Sequence, residues 1–124
     1  MKAWIGAGAL VGMLLSSVAQ ATDGNTLLKN CQTTVRMMDS EQLSSNDSVA
    51  VGQCLGMIEG VKSTLIIFGD QLPGKSRACV PNGGINNGQA ARIVTKYMHD
   101  NPAKLNLDAT VLIILALKDA YPCK

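Results

Sequence analysis

Four cysteines, Cys31, Cys54, Cys79 and Cys123, constrain this chain more than any other feature of its sequence. All four follow an N-terminus that reads as an export signal. Met1-Lys2 supplies the positive start, Ala3 to Val18 the apolar run and Ala19-Gln20-Ala21 a small-x-small cleavage site. The core of that run, Ala3 to Leu15, is short of the roughly 20 apolar residues that span a bilayer. The sequence therefore predicts a signal peptide over residues 1–21 and one exported domain over 22–124. An even cysteine count in an exported chain of this size reads as two disulfides.

Other uses of the cysteines fit poorly. A zinc site needs clustered ligands, and here the cysteines are far apart and the only histidine is His99. Cys-x-x-Cys redox and haem motifs are absent, and no cofactor or metal is expected.

Hydrophobic spacing predicts an all-α fold of about four helices. The first, Thr26 to Met38 with Asn25 as N-cap, carries Leu27, Leu28, Cys31, Val35 and Met38 at helical spacing. The second, about Ser48 to Phe68, has one stripe at Val51, Cys54, Ile58, Val61, Leu65 and Phe68. Gly52, Gly56 and Gly60 form another row on it. Each glycine costs a helix up to about 1 kcal/mol relative to alanine, so the row is expected to mark close approach by another helix. A membrane GxxxG reading is opposed by Glu59 and Lys62 in mid-segment.

Gly69 to Gly88 holds two prolines and five glycines and reads as a loop of unusual length. It lacks the Gly-Lys-Ser/Thr ending of a phosphate loop. Asn86 or Asn87 then caps a third helix that stops at Asn101-Pro102. Asp108 caps a fourth, Ala109 to Ala120, which is apolar on most sides, ends at Pro122 and is expected to be central. Leu107 and Leu112 stand at staple positions around its start.

The turns select the cysteine pairing. Cys31 and Cys54 are equidistant from the Ser-rich Asp39–Asp47 loop, so a hairpin sets them opposite each other. Cys79 and Cys123 are equidistant from the Asn101-Pro102 break. The expected fold is two antiparallel helical hairpins with bridges Cys31–Cys54 and Cys79–Cys123. Either bridge is worth roughly 3–4 kcal/mol on chain entropy.

Without residues 1–21 the chain keeps ten basic and nine acidic residues, no footprint for nucleic acid. Catalytic readings are thin. His99 beside Asp100 would have to serve a Ser–His–Asp device, but a surface histidine at a helix C-terminus explains it better. Glu59 and Lys62 read as an i, i+3 ion pair. The residues describe a binding protein, not an enzyme.

Some segments have a family likeness. They are Cys54-Leu55-Gly56-Met57-Ile58-Glu59-Gly60-Val61, Cys79-Val80-Pro81, Lys96-Tyr97 before Asn101-Pro102, and Ala120-Tyr121-Pro122-Cys123. Together they resemble the Tai-type (Rap/Tai) immunity proteins, periplasmic antidotes to type VI secreted peptidoglycan amidases. The resemblance covers Asn25 to Cys123. It implies a helical immunity-type domain, often a homodimer, that plugs an amidase cleft and protects the producing cell. On that reading the segment long enough to fill a cleft is Gly69 to Asn87. Its candidate contacts are Asp70, Gln71, Lys75, Ser76, Arg77 and Asn82, with Leu72 and Pro73 as an apolar anchor; Asp70 to Arg77 is favoured. The bland alternative is a connector between hairpins. The rival function is a general periplasmic helical chaperone of the acid-protection type, which a single histidine and two staples disfavour.

Overall fold

A computed structural model describes residues 21–124; the expected signal peptide lies, but for Ala21, outside the described residues. Four helices follow in order: α1 (Gly24–Met38), α2 (Asp47–Phe68), α3 (Asn87–Asp100) and α4 (Ala109–Ala120). Short 3-10 turns occupy Gly69–Gln71, Gly74–Ser76 and Pro102–Lys104. The described residues contain no strand, only a single antiparallel bridge between Asp23 and Asp108. The all-α expectation holds, and so do both bridges, Cys31–Cys54 and Cys79–Cys123.

Three of the four helices, α1, α3 and α4, begin where a side chain satisfies a free N–H group. Asp108 accepts from the Thr110 N–H at 2.8 Å and starts α4 as expected. Asn86 accepts from the Gln89 N–H at 2.8 Å, which resolves the choice of cap for α3. At α1 the cap is Asp23, accepting from Thr26, not Asn25. Asn25 lies inside the first turn and donates to the Leu105 carbonyl. Residues 22–24 run beside 107–109, with Gly24 N–H to Leu107 O at 2.9 Å and Ala109 N–H to Thr22 O at 2.8 Å. The starts of α1 and α4 are thereby tied.

The core joins Leu27 and Cys31 of α1 to Cys54, Ile58 and Leu65 of α2. From α3 and α4 it takes Val94, Met98, Leu112, Ile113 and Leu117, with alanines 90, 91, 109 and 116 between them. The small alanines let large aliphatic side chains interdigitate, and Tyr97 is the one aromatic ring in the cluster.

Two expectations for α2 are corrected. Its buried row is Val51, Cys54, Ile58, Lys62 and Leu65, so Lys62 joins the stripe while Val61 packs only partly buried against the core. Phe68, expected in the stripe, is 47% exposed. The glycine row, moreover, receives no neighbour. A Cβ placed on Gly52, Gly56 or Gly60 would meet nothing within 4 Å. The row lies opposite the buried one, and spacing alone identifies a face without saying what covers it.

The glycine that another element's backbone approaches closely is Gly24. A Cβ there would come within 2.3 Å of Leu112 Cδ1 and 2.7 Å of the Leu105 carbonyl oxygen. Backbone cannot yield as a side-chain tip can. Gly24→Ala is expected to lose about 1–3 kcal/mol by overpacking. Gly56→Ala, in open space, should gain up to about 1 kcal/mol of helix propensity. Thermal melts at low protein concentration should move in opposite directions for the two variants; a fall for Gly56→Ala would mean the row is packed within the chain.

Candidate functional site

The segment between α2 and α3 is long but well tied. Arg77 folds back across it, donating from Nε to the Leu72 carbonyl at 3.0 Å and from its guanidinium to the Asp70 carbonyl. Lys118 of α4 donates to the Lys75 carbonyl at 2.9 Å. The Cys79 N–H meets the Tyr121 carbonyl at 2.8 Å beside the Cys79–Cys123 bridge.

Lys62 holds the far end. Only 8% exposed, it donates to the Ile85 carbonyl at 3.1 Å and to Asn87 Oδ1 at 2.5 Å, and pairs with Glu59 at 2.8 Å. A buried ammonium needs such a full set of partners. The expected Glu59–Lys62 surface pair is therefore surface only on the Glu59 side. Lys62 was nonetheless findable in the sequence, as a charge on the Ile58–Leu65 row.

The ties sort the candidate contact residues. Asp70, Gln71, Pro73 and Lys75 point outward, exposed, whereas Ser76 and Arg77 are half-buried. Leu72, the expected anchor, packs against the core instead. Arg77 is the loop's own clasp. Asn82 is exposed and shares a shallow cleft with Leu65, Ile66, Asp70, Arg77 and Val80.

The residues weighed for catalysis have structural partners. His99 Nε2 lies 3.0 Å from Gln32 Nε2, and Asp100 pairs with Lys96 at 2.6 Å, which raises the Lys96 pKa. Among the described residues no three His, Cys, Asp or Glu side chains gather as a metal site. The sequence segments that carried the family likeness are structural too. Asn101 donates to the Tyr97 carbonyl at 2.8 Å and closes α3. Tyr121 accepts from Gln89 at its hydroxyl.

Two carboxylates are held below their ordinary pKa. Asp23 is lowered by its cap hydrogen bonds from Thr26, and Glu59 by its hydrogen bond with Lys62 and then by Ser63. A carboxylate with a depressed folded pKa adds stability above its unfolded value and loses it as pH falls through the folded one. The melting midpoint should therefore hold above about pH 5 and decline below about pH 4, the ordinary carboxylate range. Both groups are exposed, so the decline should be shallow. A midpoint that rises on acidification would contradict these assignments.

No curated protein and no solved structure matches the chain. A family model described as Rap1a immunity proteins matches residues 23–123. That span runs from the Asp23 cap of α1 to the last bridged cysteine, and the chain belongs to the Rap1a immunity protein family.

Proposed function

We propose that the mature chain, residues 22–124, is a periplasmic immunity protein that binds and inhibits a type VI secreted peptidoglycan amidase. Residues 1–21 serve as its export signal. Family membership supports an immunity role, and two disulfides suit an oxidising compartment. The amidase as target rests on the Tai-type resemblance.

The observation that carries the mechanism is the tied loop. These ties hold Gly69 to Asn87, yet Asp70, Gln71 and Lys75 remain exposed. A pre-ordered loop loses less entropy on docking than a flexible one. It can therefore enter a substrate cleft as an inhibitor does, offering polar contacts.

The test is direct. Purified mature chain is added to the amidase encoded beside it, and release of peptide stems from peptidoglycan is followed. Inhibition that completes near equimolar ratio is expected. Full hydrolysis at excess chain, together with suppression of client aggregation at low pH, would favour the chaperone reading. That reading requires opening at acid pH, which two bridges oppose.

A further inference from the structure

We infer that the Cys79–Cys123 bridge is a reversible latch, worked by a Cys-x-x-Cys dithiol oxidoreductase that reaches it through the cleft it lines. Opening the latch frees residues 78–84 while the helices stay folded. The two bridges are placed for different work. Cys31 and Cys54 are fully buried between α1 and α2, out of reach of a second thiol. Cys79 and Cys123 are both exposed, and both line a cleft of about 640 Å³ with Arg77, Val80 and Asn82. A disulfide is broken by a thiolate that can reach one of its sulfurs, and exposed bridges are the labile and regulatory ones.

The loop's ties leave one stretch to this bridge. Arg77 and Lys118 hold the first half through the Asp70, Leu72 and Lys75 carbonyls. Lys62 holds the far end through Ile85 and Asn87. Among the described residues, 78–84 are bonded to the rest of the chain by the bridge and by one backbone bond, Cys79 N–H to Tyr121 O at 2.8 Å. The Gly84 N–H to Pro81 O bond is internal to the stretch, and Ala78 and Val80 lie only partly buried against the core. Gly83 and Gly84 give a released stretch much conformational freedom to regain.

The exchange balances with the dithiol as its only co-reactant. Cys123 is the sulfur to attack, because it lies on the exposed residues 122–124 beyond the end of α4. The partner's thiolate bonds to Cys123 Sγ, the Cys79–Cys123 bond breaks, and Cys79 leaves as a thiolate that takes up a proton. Arg77, lining the same cleft, favours that departing anion. The partner's second thiolate then attacks the partner sulfur of the mixed disulfide, closing the partner's own bridge and releasing Cys123 to be protonated. The chain is reduced by two electrons and the partner is oxidised by the same two. The reverse reaction, from an oxidised partner, shuts the latch. Its consequence for inhibition rests on the function proposed above: Asn82, a candidate contact, sits in the latched stretch, whereas Asp70, Gln71 and Lys75 do not. Opening therefore weakens amidase binding without abolishing it.

Folded mature chain treated with reduced thioredoxin should lose Cys79–Cys123 and keep Cys31–Cys54, and oxidised protein disulfide isomerase should restore the lost bridge. Amide exchange should quicken at least about tenfold in residues 78–84 and stay unchanged in the helices. A thioredoxin with serine for its second active-site cysteine should be trapped on Cys123. The opened chain, and the Cys79→Ser, Cys123→Ser double variant with it, should bind the amidase about tenfold more weakly, the share of one central contact. A bridge that resists thioredoxin in the folded chain, unchanged exchange at 78–84 after opening, or helices that unfold with it would each overturn the latch. Capture on Cys79 would overturn Cys123 as the point of attack, and equal affinity of the open and closed forms would overturn the latch's part in binding. If the closed chain does not bind the amidase at all, the inhibitory reading fails while the exchange result still decides the latch.

Discussion

Replacing Cys31 and Cys54 together by alanine is expected to lower the melting midpoint by about 14 °C or more. The bridge closes a separation of 23 residues, for which chain entropy gives about 3.5 kcal/mol. At about 4 °C per kcal/mol for a domain of this size, that alone supplies the shift. Both sulfurs are fully buried in the core between α1 and α2, so cavity costs add to it.

The second bridge closes 44 residues and by the same relation is worth about 4 kcal/mol. Accessibility, not loop length, separates the two. Cys79 and Cys123 are exposed, and thiol–disulfide exchange needs an open approach to a sulfur. A mild dithiol reductant should therefore open Cys79–Cys123 in the folded protein. Cys31–Cys54 should persist until denaturant unfolds the bundle. Alkylation and peptide mapping read both steps, and loss of Cys31–Cys54 first would mean that the α1–α2 contact opens more readily than its burial implies.

The sequence made these bridges legible because both hairpin turns carry strong local chemistry: the Ser-rich stretch after Asp39 and the proline at 102. Helix α4 was legible for the same reason, with Asp108 before it and Pro122 after it. At α1 a glycine and an asparagine in the first turn concealed the true cap, Asp23. Only the tertiary approach of Leu105 and Leu112 explains Gly24 there. Helix α2 misled for a deeper reason. Two opposed apolar faces weaken the periodic signal, so Lys62 was left out of the buried row beside the partly buried Val61. The loop ties were invisible for yet another reason: Arg77, Lys118 and Lys62 reach backbone carbonyls, and every residue offers one of those.

Those carbonyl ties decide how the proposed inhibitory surface should be tested. Replacing the whole of Asp70 to Arg77 by a Gly/Ser linker would remove Leu72 from the core edge and the Arg77 clasp with it. A loss of inhibition would then report lost order as readily as lost contact. The cleaner variant keeps Leu72, Pro73 and Arg77 and changes only Asp70→Ser, Gln71→Ser and Lys75→Ser. The clasp and the Lys118 bond use the backbone of Asp70 and Lys75, not their side chains. The melting midpoint should accordingly stay within the shift of an ordinary surface change, about 0.5 kcal/mol. Amidase affinity should fall far more. Truncating a central contact costs at least about 2 kcal/mol, so losing even two such contacts implies a drop of around a thousandfold. Titration calorimetry against the amidase measures it, and Leu72→Ala serves as the opposite control, destabilising the fold while sparing the outward side chains. Wild-type affinity in the triple variant would move the inhibitory contact off this loop and onto the helices.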